Sequence, residues 1–225
     1  SFETAAVKAA GDPQYRSNTT GSAFFSGAAE VTDLVKGNGT YRFKNLTINS
    51  GSPYCAPEGV LGGFALLVVY SHDDEPYRNL NAYEGFQFIH NTGNQNVSVT
   101  LNLKDFKIPD LSRTKATGRL GHITWEGDPP PSEGGEPLKF NHYEMTDTGN
   151  PSGNQFNSFS SITPGKTSHG VDFDIYTLDD PVIKTGQTTA TTVYRSGQDL
   201  VLLSAEIIAV PNVPPAVDLK LDKVR

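Results

Sequence analysis

Short segments in which apolar and polar residues alternate recur along the chain, separated by turn-forming residues. The clearest segment is residues 97–103, where Val97, Val99, Leu101 and Leu103 occupy every second position. Because successive side chains of a strand point to opposite faces of a sheet, this pattern places the four apolar residues on one face. Strands that follow one another about every ten residues are typical of β-sandwiches and barrels. The pattern therefore predicts an all-β chain.

The composition agrees with this prediction. The 225 residues include 22 glycines and 15 prolines, which supply turns, while 12 phenylalanines and 9 tyrosines supply large apolar side chains. A chain of this length buries about 70% of the surface that it exposes when unfolded, so its core needs neither a metal nor a disulfide. We therefore predict one β-sandwich or jelly-roll-like domain over residues 1–210, followed by an extension strand.

Several other segments have the features of strands. Residues 40–48 alternate apolar and polar side chains, which predicts a strand with one solvated face. Residues 64–70 are all apolar and predict a central strand that is buried on both faces. Residues 30–36 fit either a helical turn or a short strand. Further strands are predicted at residues 79–83, 85–90, 117–126, 138–141, 171–176, 188–196 and 199–210.

The C-terminal residues 211–225 combine a proline-rich linker with one more alternating segment, which contains Val217, Leu219 and Leu221. An open sandwich edge exposes N–H and C=O groups with which a strand from another molecule can pair. We therefore predict Val217, Leu219 and Leu221 to be the buried side chains of a donor strand that joins copies head to tail. The alternative is a plain linker to a neighbouring domain.

Charge and cysteine content restrict the partners. The formal net charge is −7, from 18 basic and 25 acidic residues, so we expect no nucleic-acid partner. No apolar run has the length of a membrane span, so membrane insertion is not expected either. Cys55 is the single cysteine, which excludes an intrachain disulfide. It fits a small buried apolar residue, with an intermolecular link or a reactive thiol as the alternatives.

No catalytic motif is present in the sequence. There is no Gly-x-Ser-x-Gly segment, and no pattern around the five histidines nominates a base. Glu126 and Asp128, beside Trp125, are the one acidic pair with an adjacent aromatic residue. A strand would direct both acids to one face and Trp125 to the other, which does not suit a sugar-cleaving site. We therefore predict a non-enzyme in which Trp125 belongs to the core and the acids lie at the strand end.

Calcium is the metal that best suits the available ligands, because it takes carboxylate and carbonyl oxygens from loops. We select Asp172, Asp174 and Asp179 as candidate ligands, and the first two share a face if their segment is a strand. No cofactor is required by the sequence, and solvated turns or loop caps are the alternative roles for every acidic group. The groups considered are Asp73, Asp74 and Glu75; Asp147, Asn150 and Asn154; and Asp172, Asp174, Asp179 and Asp180.

A series of short motifs follows one another along the chain, at residues 33–41, 62–70, 78–80, 83–86, 119–121, 125–128, 154–157 and 172–174. This series resembles an uncharacterised family of extracellular domains in large bacterial and archaeal surface proteins. The resemblance spans residues 24–210. It implies a β-rich module outside the cell with no assigned catalytic residues, although such relatives usually begin with additional strands.

These observations together predict a non-catalytic extracellular or cell-surface structural module. It would act as a filament or surface-layer subunit that associates with copies of itself by strand exchange, or with neighbouring domains of a surface protein. The alternative is an adhesin module that binds carbohydrate or a host surface and is stabilised by calcium.

Overall fold

A computed structural model describes residues 15–16, 23–47, 62–90, 98–114, 116–129, 135–163, 168–197 and 199–213. Cys55 and the predicted donor residues Val217, Leu219 and Leu221 lie outside these ranges. The described residues form ten strands and two 3₁₀ helices, Thr32–Leu34 and Leu111–Arg113. The strands are β1 (Tyr15–Arg16), β2 (Ala23–Phe24), β3 (Arg78–Ile89), β4 (Ser98–Leu103), β5 (Gly118–Trp125), β6 (Leu138–Phe140), β7 (Tyr143–Glu144), β8 (Val171–Leu178), β9 (Ala190–Arg195) and β10 (Val201–Pro211).

Two four-stranded antiparallel sheets account for eight of these strands. Sheet I has the order β3-β10-β5-β8, and sheet II has the order β4-β9-β6-β7. The prediction of an all-β fold is confirmed, and the arrangement is consistent with a β-sandwich. β1 and β2 form a separate two-stranded antiparallel pair.

The core forms where side chains at alternate positions of the two sheets meet. Along β8, burial alternates between positions, and Asp172, Asp174, Tyr176 and Leu178 are the buried members. β4 behaves as its sequence predicts, because Leu103 is buried and Val99 and Leu101, on the same face, are partly buried. The largest fully buried side chains include Tyr194, Phe140 and Phe156, Ile89, Leu103, Ile108, Leu120, Leu138, Leu178, Ile183 and Ile208.

Two of the predicted strands are wrong. Residues 40–47 and 64–70 belong to no strand in the part of the chain that the structure describes. Residues 64–70 are also far from buried, with Val69 60% exposed and Tyr70 71% exposed. A run of apolar residues favours extended backbone, but it does not state whether a neighbouring strand is available to cover it. The contacts that it does make include a stack of the Phe64 ring on Phe43, with ring centroids 5.2 Å apart.

Other elements differ in detail from the prediction. The strands predicted at 79–83 and 85–90 form one continuous strand, β3. Its pairing with β10 shifts register between Leu203 and Ala205, which pair with Gln87 and Glu84, so the two strands stay paired on both sides of the shift. The segment at 30–36 takes the helical alternative, a single 3₁₀ turn. β10 extends to Pro211, and the Asn212 backbone N–H then donates to the Tyr77 carbonyl at 2.8 Å. The ordered domain therefore includes the first residues of the predicted linker.

The burial pattern in sheet I predicts unequal costs for two leucine truncations. Leu120 on β5 is fully buried, whereas Leu80 on β3 is 44% exposed. We expect Leu120→Ala to lower the free energy of unfolding by about 2–5 kcal/mol, because it leaves a cavity, and Leu80→Ala to cost under about 1 kcal/mol. Urea unfolding of both variants measures the difference. Equal costs would contradict the assignment of faces in sheet I.

Candidate functional site

Ionisable side chains occupy core positions of sheet I. Glu206 on β10 lies opposite His122 on β5, which lies opposite Asp174 on β8. Their exposed fractions are 1%, 2% and 0%, respectively, and Asp172 is also at 0%. The period-two pattern of each strand puts these residues on the inward face, so they lie where apolar side chains are expected. Polar residues that violate the pattern in this way are where a functional or specificity role is expected.

Glu206 is the best satisfied of these groups. The Tyr194 hydroxyl donates to its Oε2 at 2.6 Å, and the Thr192 hydroxyl donates to its Oε1 at 3.1 Å. Burial raises the pKa of Glu206 to about 7, although the two donated hydrogen bonds act in the opposite direction. The carboxyl group is therefore partly protonated near neutral pH.

His122 is enclosed by aromatic rings and is uncharged. Its ring stacks on Tyr176 with centroids 6.1 Å apart and meets Phe156 and Tyr194 edge-on. Burial lowers the pKa of His122 to about 3, so the imidazole is neutral at physiological pH. Its Nε2 lies 3.8 Å from Oδ2 of Asp174, which is beyond hydrogen-bond distance and, with a neutral ring, is not an ion pair.

Asp172 and Asp174 use only half of their oxygens. Oδ1 of Asp172 accepts the Asn157 backbone N–H at 2.9 Å, and Oδ1 of Asp174 accepts that of Ser161 at 2.9 Å. Both Oδ2 atoms are buried without a hydrogen-bond partner. Burial raises the pKa of Asp172 to about 8 and that of Asp174 to about 6. The prediction that these two carboxyl groups share a face is confirmed.

The loop before β8 brings carboxamides to the same place. Oδ1 of Asp147 caps this loop by accepting the backbone N–H groups of Gly149 and Asn150 at 2.7 and 2.9 Å. The Asn150 side-chain amide donates to Oδ2 of Asp147 at 3.4 Å, and it acts against burial by lowering the pKa of Asp174. Asn150 and Asn154 are 0% and 9% exposed, and the Oδ1 atom of each has no hydrogen-bond partner. Asn150 and Asn154 from one group considered as calcium ligands, and Asp172 and Asp174 from another, therefore lie buried in a loop and a strand that pack together, and these four residues are called the cluster below. Asp147 of the first group is exposed.

The remaining candidate acids lie elsewhere. Asp179 and Asp180 are exposed beyond the end of β8, so the structure does not bring Asp179 to Asp172 and Asp174. The residues around Asp74 form an exposed turn in which the Glu75 backbone N–H donates to the His72 carbonyl at 3.0 Å. Asp73, Asp74 and Glu75 therefore belong to a solvated turn, which was the alternative to calcium binding for these residues.

Close backbone packing holds the cluster together. Gly127 follows β5, and a Cβ at this position would collide with Oδ2 of Asp172 and with the Phe156 backbone. The Ser158 hydroxyl donates to the Gly127 carbonyl at 2.5 Å and accepts the Gly170 backbone N–H at 2.6 Å. Three of the sequence motifs, residues 125–128, 154–157 and 172–174, therefore meet at this cluster.

A second acidic group lies at the end of β5. Burial is the main reason that the pKa of Glu126 is raised to about 8, and the charges of Asp199 and Asp128 add to it. The expectation that these acids follow the strand end is confirmed.

Trp125 does not belong to the core between the sheets, which corrects the prediction made from sequence. It is partly exposed, donates from Nε1 to the Ser204 hydroxyl at 2.6 Å and packs edge-on against Phe173. Its position in β5 directs it to the outer face, opposite His122.

Within the described ranges, no group of three or more histidine, cysteine, aspartate or glutamate side chains is placed to share a metal ion. In the same part of the chain, no helix combines the length and the apolar character needed to cross a membrane.

Comparisons with known proteins found no match for this chain among family models, curated proteins or solved structures. The resemblance to extracellular surface-protein domains therefore stays a prediction.

The sequence analysis did not select His122, Tyr194 or Glu206. A signal was present for Glu206, which is the one charged residue in the otherwise apolar run of β10. His122 and Tyr194 had no such signal, because both residue types occur in cores and on surfaces alike.

The raised pKa of Glu206 predicts that folding stability falls with pH. The folded chain holds this proton up to about pH 7, whereas the unfolded chain releases it near 4.5. The contribution of Glu206 is therefore complete below pH 4.5 and is lost as pH rises through 7. We expect Glu206→Gln to remove a loss on the order of 3 kcal/mol between pH 5 and pH 8.

Urea unfolding at both pH values, in the presence of a chelator, measures this difference. Glu84→Gln changes an exposed carboxylate on the neighbouring strand β3 and is the matched control. A pH dependence in Glu206→Gln that equals that of the wild type would contradict the assignment.

Proposed function

We propose that the chain is a non-catalytic extracellular structural module that assembles head to tail by β-strand addition. In this proposal the C-terminal segment of one copy pairs with residues 64–70 of the next. The main observation in support of this proposal is that residues 64–70 are apolar and exposed, and that none of the described strands pairs with them.

Residues 62–70 contain no charged side chain in a chain of net charge −7. Five of their large apolar side chains are exposed by 37% to 71% of their surface. Contiguous exposed apolar residues are typical of interaction sites, and extended backbone outside a sheet offers N–H and C=O groups for pairing. The exposed members are Phe64, Leu67, Val68, Val69 and Tyr70.

The C-terminal segment has the chemistry of a complementary strand. Val217, Leu219 and Leu221 alternate with Asp218, Lys220 and Asp222, so a strand here has one apolar and one charged face. Five residues of strand span roughly 17 Å, which is shorter than the seven-residue segment 64–70. The donor therefore fits within the length of the acceptor.

The path of the chain supports pairing between copies. Asn212 is held beside β3 by its Nδ2, which donates to Oδ1 of Asn79 at 2.8 Å. Pro214 and Pro215 follow and restrict the backbone to extended conformations, which disfavours an immediate return to the same molecule. Because donor and acceptor are different surfaces, each copy keeps one of each free, and the contact propagates into a filament.

The proposal predicts that assembly depends on one face of the C-terminal segment. We expect light scattering and electron microscopy to detect oligomers or filaments of the full chain at high concentration. The triple variant Val217→Ser, Leu219→Ser, Leu221→Ser should remain monomeric, because it has no apolar face to bury. Val69→Lys should weaken assembly from the acceptor side by placing a charge in the interface.

The matched control is the triple variant Asp218→Ser, Lys220→Ser, Asp222→Ser, which changes the opposite face of the same segment and should still assemble. A wild-type chain that is monomeric at all concentrations, or filaments that persist in the apolar triple variant, would exclude strand exchange by this segment. If the chain is instead a monomer that binds carbohydrate, the alternative function as an adhesin module is favoured.

A further inference from the structure

We propose that Asp172, Asp174, Asn150 and Asn154 form a calcium-binding site inside the domain. The site is independent of the proposed assembly, since none of its residues belongs to segment 64–70 or to the C-terminal segment.

The first argument is the number of buried oxygens that lack a partner. Oδ2 of Asp172, Oδ2 of Asp174, Oδ1 of Asn150 and Oδ1 of Asn154 are all acceptor atoms, and each is buried without a hydrogen bond. A buried acceptor that is left unpaired is destabilising, and more so when it is charged. Four in one cluster are explained together by a cation that accepts all four as ligands.

The second argument is that the four residues are neighbours. Asp172 and Asp174 project from the same face of β8, and the Ser161 backbone N–H, from the loop that carries Asn150 and Asn154, donates to Asp174 at 2.9 Å. The Asn157 side chain donates to the Asn154 carbonyl at 2.9 Å, while its backbone N–H binds Asp172. The loop that carries both asparagines is therefore fastened to the strand that carries both aspartates.

The third argument concerns charge. The fully buried ionisable residues within the described ranges are acids and the neutral His122, with no lysine or arginine among them. Glu136 is fully buried as well. A divalent cation supplies the positive charge that lets buried carboxyl groups ionise, which the buried side chains of the described ranges do not supply.

The ligand types select calcium. Two carboxylate oxygens and two carboxamide oxygens are hard ligands, and calcium accepts six to eight oxygens in flexible geometry, so backbone carbonyls or waters complete the shell. Magnesium demands a tighter octahedral arrangement and retains its waters. A surface depression of about 350 Å³ is lined by Asp147 and Tyr176, which are close in sequence to Asn150 and Asp174, but none of the four proposed ligands lines it.

The test is a thermal unfolding series on the full chain after removal of metals with a chelator. We expect calcium at about 100 times its dissociation constant to raise Tm by roughly 5–10 °C, because it binds only the folded state. Magnesium at the same concentration should give a much smaller shift. Titration calorimetry then measures the affinity directly.

Two variants locate the site. Asp172→Asn and Asp174→Asn keep the Oδ1 acceptor for the loop N–H groups and remove a charge from the ligand set. Each should weaken calcium binding at least tenfold. Asp179→Asn, at the exposed end of the same strand, is the control and should bind calcium as the wild type does. Terbium luminescence, sensitised through Tyr176 and displaced by calcium, gives a readout that does not depend on unfolding.

A wild-type chain with neither a calcium-induced Tm shift nor a calorimetric signal at millimolar calcium would overturn the proposal. Equal loss of binding in Asp179→Asn and Asp174→Asn would overturn it as well, because the cation would then lie elsewhere. Neither outcome depends on whether the chain assembles. Assembly is tested separately by the variants of the C-terminal segment.

Discussion

The burial of Asp172 and Asp174 is the constraint around which this part of the domain is organised. A carboxyl group inside a sandwich needs hydrogen-bond donors, and the loop after residue 147 supplies them through its backbone N–H groups. Gly127 is required for this loop to approach, because a side chain there would occupy the space of Oδ2 of Asp172. The conformations of β8, the loop and the end of β5 therefore depend on one another.

A second polar group shows how a buried acid is accommodated without a cation. Both oxygens of Glu206 accept side-chain hydrogen bonds from sheet II, so the carboxyl group links the two sheets across the core. The cluster around Asp174 differs in that several acceptors have no donor. Satisfied polar networks favour one packing arrangement over others, whereas unsatisfied ones need a further partner. Glu206 is therefore explained as a link between the two sheets, whereas the cluster around Asp174 is proposed to bind a cation.

The core contains buried polar groups, whereas the outer surface contains exposed apolar ones. Residues 64–70 are apolar, and no described strand covers them. In the proposed assembly both features have a use. The internal cluster connects its loop to β8, and the exposed apolar segment offers a place for a neighbour to bind. Rigid partners lose less conformational entropy when they associate, so internal order and external association support each other.

The sequence by itself determined where most of the longer strands lie. Alternation located β4, β5, β8, β9 and β10 to within a few residues, because the pleat of a strand depends only on local geometry. It also placed Asp172 and Asp174 on one face. The tertiary structure decided which strands are neighbours and that residues 64–70 have no partner among the described strands. It also decided that the loop carrying Asn150 and Asn154 is hydrogen-bonded to the two aspartates. Those outcomes depend on contacts between residues distant in the chain, and a local pattern carries no information about them.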